Sequence, residues 1–154
     1  MKLPLISCIC LVSIAFPVHA DEDEFEVLEH DLIKLALGKA KIGMKQAIEA
    51  AAKKAGNAKL AEAELSVDGE TPVFEFGFLT ESGAMEINVD AVTGKVLKKE
   101  DDKPDADEAE ENKQTQKALT ETKFTLLQAI DAAMNEVKGG TIVEAEAEVE
   151  DGKF

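Results

Sequence analysis

The sequence repeats itself once at a spacing of 82 residues, and this repeat constrains the fold more than any other feature. Residues 41–67 align without a gap on residues 123–149 and share ten identities with them. A helical pattern, a turn containing glycine and an alternating strand pattern recur in the same order. The chain is therefore predicted to contain one small structural module twice.

The first copy opens with an amphipathic helix. Apolar residues recur at intervals of three and four positions, which is the spacing of one face of an α-helix. These residues are Met44, Ala47, Ile48, Ala51, Ala52 and Ala55. The small side chains allow this helix to lie close to a sheet, and Gly56-Asn57 is a typical helix end.

Three segments with alternating apolar residues follow, as expected for strands that bury one face. The predicted inward residues are Ala61, Ala63, Leu65 and Val67, then Phe74, Phe76 and Phe78, then Met85, Ile87 and Val89. Three antiparallel strands with one apolar face need a cover, and the helix supplies it. The predicted fold class is α+β, with a helix packed on a small antiparallel β-sheet and a partial second repeat.

A tight reversal follows the third strand at residues 90–95. Asp90 is predicted to accept backbone N–H hydrogen bonds, and Gly94 to adopt the left-handed conformation. Val96 and Leu97 then resume as a short strand. Residues 100–122 are acidic and poor in apolar side chains, which predicts a solvated linker with helical character towards its end.

The second copy, residues 123–154, is incomplete. Its helix has a capping box, with Thr125 as N-cap and Gln128 at the third helical position, and Phe124 lies where a hydrophobic staple would be. A single strand is seldom stable alone. Three outcomes are open for residues 141–149: addition to the sheet of the first copy, pairing with another molecule, which includes self-association, or completion within a longer protein. The last is favoured.

Residues 1–20 have the pattern of a secretory signal peptide, with Lys2, an apolar run of 14 residues and a cleavage site after Ala20. The run is shorter than the ~20 residues of a membrane-spanning helix. Cys8 matches the cysteine of a lipoprotein signal, but too few apolar residues precede it. We predict a mature protein without cysteines or stable membrane insertion, in the periplasm or secreted.

The mature chain is strongly acidic. It carries 16 lysines, no arginine and 32 acidic residues, a formal charge of −16. Such a polyanion repels phosphate backbones and anionic lipids, so no nucleic acid or membrane-surface partner is predicted. Residues 21–40 begin with four acidic residues and are predicted to form a lead helix. Its apolar stripe is Phe25, Leu28, Leu32 and Leu35 or Ala36.

No catalytic, cofactor-binding or metal-binding residue is predicted, and the chain is not expected to be an enzyme. His30 is the one histidine of the mature chain, whereas a firm transition-metal site needs more nitrogen or sulfur ligands. A cysteine nucleophile and a Gly-x-Ser-x-Gly elbow are absent from its sequence. The carboxylates from Asp101 to Glu111 could hold calcium loosely, but they lack the pattern of an EF-hand loop.

Four segments together resemble the PepSY family. They are Ile42-Gly43-Met44-Lys45-Gln46-Ala47-Ile48, Ala61-Glu62-Ala63-Glu64-Leu65, Val73-Phe74-Glu75-Phe76 and Val89-Asp90-Ala91-Val92-Thr93-Gly94-Lys95-Val96-Leu97. The resemblance covers residues 41–99 well and 123–154 in part. It implies a helix on a hairpin sheet in exported or membrane proteins. Because members occur in propeptides of thermolysin-type metallopeptidases, it also implies inhibition or chaperoning of a peptidase.

Two functions follow as hypotheses. The first is an exported, non-catalytic module that binds a protein or peptide through a sheet edge and regulates or inhibits a peptidase. The second is an acidic periplasmic protein that binds or buffers cations such as calcium. A calcium titration followed by circular dichroism separates them, because a cation binder should gain thermal stability.

Overall fold

The computed structural model describes residues 9–15, 24–104, 106–122, 125–137 and 139–149, and for residues 9–15, 24–31, 106 and 107 it describes the backbone alone. In chain order the elements are β1 (Ile9–Ala15), α1 (Glu24–Lys39), α2 (Met44–Ala55), β2 (Lys59–Asp68), β3 (Thr71–Thr80), β4 (Gly83–Asp90), β5 (Val96–Asp102), α3 (Ala106–Glu121), α4 (Leu126–Glu136) and β6 (Thr141–Glu148). The fold class is α+β, as predicted.

The strands of the described residues form one six-stranded antiparallel sheet in the order β1-β6-β2-β3-β4-β5. Strands β2 to β5 follow one another along the chain and are neighbours in the sheet. The first copy thus supplies four adjacent strands, and β6 of the second copy joins on the outer side of β2.

The main hydrophobic core lies between one face of the sheet and helices α1, α2 and α4. The alternation predicted for β3 and β4 is confirmed, since all their predicted inward residues are buried and Phe76 and Ile87 are fully so. The predicted face of α2 is buried except for Ala52, which is exposed. Helix α2 ends where predicted, with Gly56 at a φ of 68°.

The core-facing side of α1 agrees with the predicted stripe at one position. Ala36, the predicted alternative to Leu35, is buried, whereas Leu32 and Leu35 are 48% and 43% exposed. Ile33 and Leu37 pack against the core in their place. The residues that pack inward also have helical spacing, so the sequence contained two candidate stripes. Packing against β2 and β3 selects the second one. The two earlier residues of the predicted stripe lie where only the backbone is described.

The reversal after β4 is built as predicted. The Asp90 carboxylate accepts hydrogen bonds from the N–H groups of Val92 at 2.7 Å and Thr93 at 2.8 Å, and Gly94 has a φ of 72°. These bonds hold the pKa of Asp90 below its usual value. The carbonyl of Ala91 accepts hydrogen bonds from the chain just before α2. The turn therefore ties the sheet to the helix that covers it.

Residues 100–104 and 106–122, predicted as a solvated linker with helical character towards its end, have more regular structure than predicted. Strand β5 pairs with β4 as far as Asp102, and α3 is a helix of 16 residues. Leu119 of α3 is 6% exposed and packs in a second, smaller hydrophobic cluster with Ala61, Leu79 and Ala147. Although this segment has few apolar residues, pairing with β4 holds β5 in the sheet, and burial of Leu119 holds α3 against it.

Helix α4 begins with the predicted capping box. The Thr125 hydroxyl accepts a hydrogen bond from the Gln128 N–H at 3.3 Å, and the Gln128 side chain accepts one from the Thr125 N–H at 2.8 Å. Phe124, the predicted staple, lies outside the described residues. One face of α4 packs into the main core, and an ion pair of 2.8 Å between Lys45 and Asp131 joins α2 to α4.

Strand β6 of the second copy adds to the sheet of the first copy, which is one of the three outcomes considered. Residues 62, 63 and 64 pair with residues 146, 145 and 144. Because these two triplets are equivalent in the repeat, the copies meet about a pseudo-twofold axis that passes through the Ala63–Ala145 pair. Completion within a longer protein stays a prediction.

Candidate functional site

The two ends of the sheet differ in chemical character. The last five residues of the edge strand β5, residues 98–102, are all charged, a pattern that discourages further strand pairing. At the other end, β6 pairs with the backbone of β1, residues 9–15. This strand lies within the segment predicted to be a signal peptide. Removal of residues 1–20 by a signal peptidase would leave β6 as the outer strand.

The pairing of β6 with β1 repeats the pairing of β2 with β3. The ladder from β2 to β3 skips Ala61, and the ladder from β6 to β1 skips Val143, its equivalent in the repeat. The register on both sides of this bulge is also the same: the pairs are Leu60–Phe78 and Glu62–Gly77 in the first copy, and Ile142–Ile14 and Glu144–Ser13 at the edge. Strand β1 therefore has the position relative to β6 that β3 has relative to β2.

A row of glutamates crosses the sheet on the face turned away from the main core. This glutamate row consists of Glu62, Glu64, Glu75, Glu86, Glu144, Glu146 and Glu148. Glu62 pairs directly with Glu146, and Glu64 pairs with both Glu144 and Glu75. Like charges directly opposite each other destabilise a sheet. A basic group placed beside the row would therefore stabilise it.

The glutamate row changes the protonation of its own members. Burial raises the pKa of Glu146 to about 7, and the charges of Glu148, Glu62 and Glu144 and a hydrogen bond with Glu148 contribute further. The pKa of Glu62 is also raised, by burial first and then by the charges of three other glutamates of the row. Near neutral pH, Glu146 thus exchanges between its neutral and charged forms.

Helix α3 lies over the same face and leaves a cleft of about 580 Å³ between itself and the sheet. All members of the glutamate row except Glu144 line this cleft, and α3 adds Glu108 and Glu111. Among the described residues, no lysine lines it. At the β5 end of the row, Lys98 pairs with Glu86 at 3.4 Å and with Glu100 at 3.0 Å. The negative charge is therefore concentrated towards β2 and β6.

The residues weighed for metal binding are spread over separate elements. His30 lies in the part of α1 described by its backbone, Asp101 and Asp102 end β5, and Glu111 lies in α3. In the part of the chain that the structure describes, no three histidine, cysteine or acidic residues are arranged to hold a metal ion. Phe74, Phe76 and Phe78 are core residues, as expected from strand alternation.

Sequence reasoning did not identify the glutamate row or the bulge at Val143. The sequence shows glutamate alternating with alanine in both copies, a pattern that indicates one acidic face on each of the two strands. Their meeting across the β2–β6 ladder depends on the docking of the second copy. Within the described ranges, none of the helices is both long and apolar enough to span a bilayer.

An antiparallel sheet with helices α2 and α4 on one face, and an acidic cleft under α3 on the other, defines the protein as a small α+β module. Residues 41–100 match the family model described as peptidase propeptide and YPEB domain, PepSY, and this part of the chain is similar to that family. This match supports a non-catalytic module of the cell envelope or exterior.

Comparison with whole proteins gives one similar structure. No curated protein matches the chain in sequence. A crystal structure of a candidate lipoprotein from Clostridium difficile 630 is similar, with 20% sequence identity and a TM-score of 0.45, over 73% of this chain and 74% of that chain.

Proposed function

We propose that this chain is an exported, non-catalytic binding module of the PepSY type. It takes up an extended segment of a partner protein beside β6 and thereby regulates or inhibits a peptidase of the cell envelope. The observation that carries the proposal is the identical register of the β6–β1 and β2–β3 ladders, bulge included. Main-chain hydrogen bonds of such an edge give affinity for any extended segment, and side-chain contacts give specificity.

The choice of edge follows from the two ends of the sheet. The charged edge of β5 resists pairing, whereas β6 already pairs with a strand on its outer side. Export with cleavage after Ala20 removes that strand, so the mature protein offers the edge of β6 to a partner. Before cleavage, residues 9–15 compete for the same edge.

A peptidase is the proposed partner because residues 41–100 match a family model whose description names peptidase propeptides. The absence of a predicted nucleophile or metal site in the sequence supports a role in binding rather than catalysis. Periplasmic or secreted localisation follows from the signal-peptide pattern of residues 1–20.

Site-specific photo-crosslinking tests the proposal. A photoreactive residue replaces Thr141, which is exposed on β6, and a matched variant carries it at the exposed Lys99 of β5. In the native envelope fraction we expect the Thr141 variant to capture a peptidase that the Lys99 variant does not, and the purified protein to reduce that peptidase's activity. Equal capture at both edges, or captured peptidases that remain fully active, would contradict the proposal.

Cation binding is the second candidate, and the acidic cleft is the observation that favours it. Burial raises the pKa of Glu146, and repulsion by neighbouring glutamates raises it further, so a cation there would offset that repulsion. A calcium binder should gain thermal stability at roughly sub-millimolar calcium, as expected for a ligand that binds only the folded state. No rise in the melting temperature on calcium titration would exclude this function.

A further inference from the structure

The strand-binding edge, taken as proposed above, has a side-chain preference at each position of the incoming segment. Positions are numbered here along that segment from the residue opposite Glu148. The ladder places positions 1 to 6 opposite Glu148, Ala147, Glu146, Ala145, Glu144 and Ile142, with the bulge residue Val143 skipped. Odd positions therefore share the face of the glutamates. Positions 4 and 6 lie opposite Ala145 and Ile142 of the main core, and position 2 lies opposite Ala147 of the second hydrophobic cluster.

Large apolar residues fit the even positions. In the first copy, the equivalents of positions 2, 4 and 6 are Phe74, Phe76 and Phe78, all buried in the main core. Phe76 pairs with Ala63, whose small side chain leaves room for the ring. Ala145 is the equivalent of Ala63 at the edge, so position 4 has the same room.

Position 5 requires a small residue. Its equivalent in the first copy is Gly77, where an added Cβ would lie 3.1 Å from the Glu62 Cβ and 3.2 Å from its Oε2. Glu62 therefore lies close across the backbone of Gly77. Glu144 is the equivalent of Glu62, so a residue larger than serine at position 5 would displace the Glu144 side chain.

Positions 1 and 3 favour basic residues because of the charges of β6 itself. They lie opposite Glu148 and Glu146, which are flanked by Glu62 and Glu144. A cross-strand pair of opposite charges is stabilising, and one of like charges is destabilising. A second copy of β6 is disfavoured as the occupant, since it would place glutamates opposite glutamates.

We propose that the edge of β6 selects an extended protein segment with basic residues at positions 1 and 3, large apolar residues at positions 2, 4 and 6, and glycine or serine at position 5. Strand β1 fits this pattern in part, with Val12, Ser13 and Ile14 at positions 4 to 6. It has Ile9 and Leu11 at positions 1 and 3, so it is a weaker occupant than a basic segment.

Fluorescence anisotropy with labelled peptides tests the pattern on the exported protein, whose N-terminus is first determined by mass spectrometry. The reference peptide contains Lys-Val-Lys-Phe-Gly-Val. Three matched peptides carry threonine at positions 1 and 3, glutamate at positions 1 and 3, or valine at position 5. A fourth carries proline at position 4 and removes a main-chain donor.

We expect the lysine peptide to bind about tenfold more tightly than the glutamate peptide at low salt, a ratio that shrinks as salt screens the charges. The variant Glu146→Gln should reduce this ratio, while Glu49→Gln on the outer side of α2 should not. Valine at position 5 should weaken binding, and proline should abolish it.

The outcomes distinguish a failure of the proposed charge preference from a failure of the proposed function. If the threonine peptide binds and proline abolishes its binding, but lysine and glutamate peptides bind equally, the edge accepts strands without the proposed charge preference and this inference is overturned. If none of the peptides binds, the strand-accepting edge itself is refuted, together with the proposed function that depends on it.

Discussion

Ala63 lies directly opposite Ala145 in the ladder between β2 and β6, and the two residues are equivalents in the internal repeat. Both are fully buried. The two copies thus dock through equivalent strands, β2 of the first copy and β6 of the second, in the manner of a symmetric dimer within one chain. This arrangement leaves the opposite side of β6 as the place where a further strand adds.

Replacing Val143 with lysine should detach β6 from the sheet. Val143 is 5% exposed and lies at the bulge in the main core, so Val143→Lys buries an unpaired charge and should cost about 3 kcal/mol. Urea denaturation and hydrogen exchange of the β6 amides measure the effect. Thr141→Lys, at an exposed position of the same strand, is the control, and equal costs for the two variants would contradict the docking of β6.

The Lys45–Asp131 ion pair should couple the two copies weakly. Its 2.8 Å contact is exposed, so a double-mutant cycle with Lys45→Ala and Asp131→Ala should give a coupling free energy of about 0.5 kcal/mol. The charge-exchanged variant, Lys45→Asp with Asp131→Lys, should recover part of it. A coupling energy of zero at low salt would indicate that this exposed ion pair does not help to hold α2 and α4 together in solution.

Stability should fall as pH rises towards neutrality. The pKa of Glu146 is raised from 4.5 to about 7 and that of Glu62 is also raised, so the folded state binds more protons than the unfolded chain in this interval. The stabilisation is complete below pH 4.5 and is lost as pH passes about 7. Allowing for solvent screening, we expect a loss of about 1 kcal/mol, measured by urea denaturation.

The variant Glu146→Gln provides the check on that assignment. It should be more stable than the wild type at pH 8 and should show a flatter dependence of stability on pH between 5 and 8. Glu49→Gln, on α2 and away from the glutamate row, should retain the wild-type profile. If both variants keep the wild-type slope, the pH dependence arises elsewhere in the protein.

Asp90→Ala should weaken the reversal after β4. The carboxylate accepts hydrogen bonds from the N–H groups of Val92 and Thr93, and their loss should cost about 1 kcal/mol at pH 7. Asp90→Asn keeps an acceptor oxygen and should lose less. Because the folded-state pKa of Asp90 is lowered, its contribution is present above pH 3.8 and is lost below it. Wild type and Asp90→Ala should therefore converge in stability in acid, and a constant difference would argue against this role.

Leu119→Ala should release α3 from the sheet. Leu119 is 6% exposed in the cluster with Leu79 and Ala147, and its truncation should cost about 2 kcal/mol. Hydrogen exchange should increase in α3 while the amides of β3 and β4 keep their protection. Lys117→Ala, at an exposed position of the same helix, serves as the control. Unchanged exchange in α3 would show that Leu119 does not hold it.

Much of the local structure could be predicted from short-range patterns. The helical spacing from Met44 to Ala55, the alternation of Phe74, Phe76 and Phe78 and the capping box at Thr125 each depend on residues within a few positions of one another. Elements whose partners lie far along the chain were predicted less well. The stripe of α1 was predicted with Leu32 and with Leu35 or Ala36, because the sequence does not say which of two apolar stripes meets the sheet. Ala36 is buried, and the two leucines are exposed.

The sequence by itself determined the two copies of the module, their helices and strands, and the resemblance of residues 41–100 to the PepSY family, because periodicity, turn chemistry and motif spacing are local properties. Only the tertiary structure decided that β6 docks on β2, that α3 covers the acidic face and that Glu146 has a pKa of about 7. These features depend on contacts between residues that are far apart in the sequence, such as Glu62 and Glu146. Burial and charge repulsion depend on distances that are set only when the protein folds.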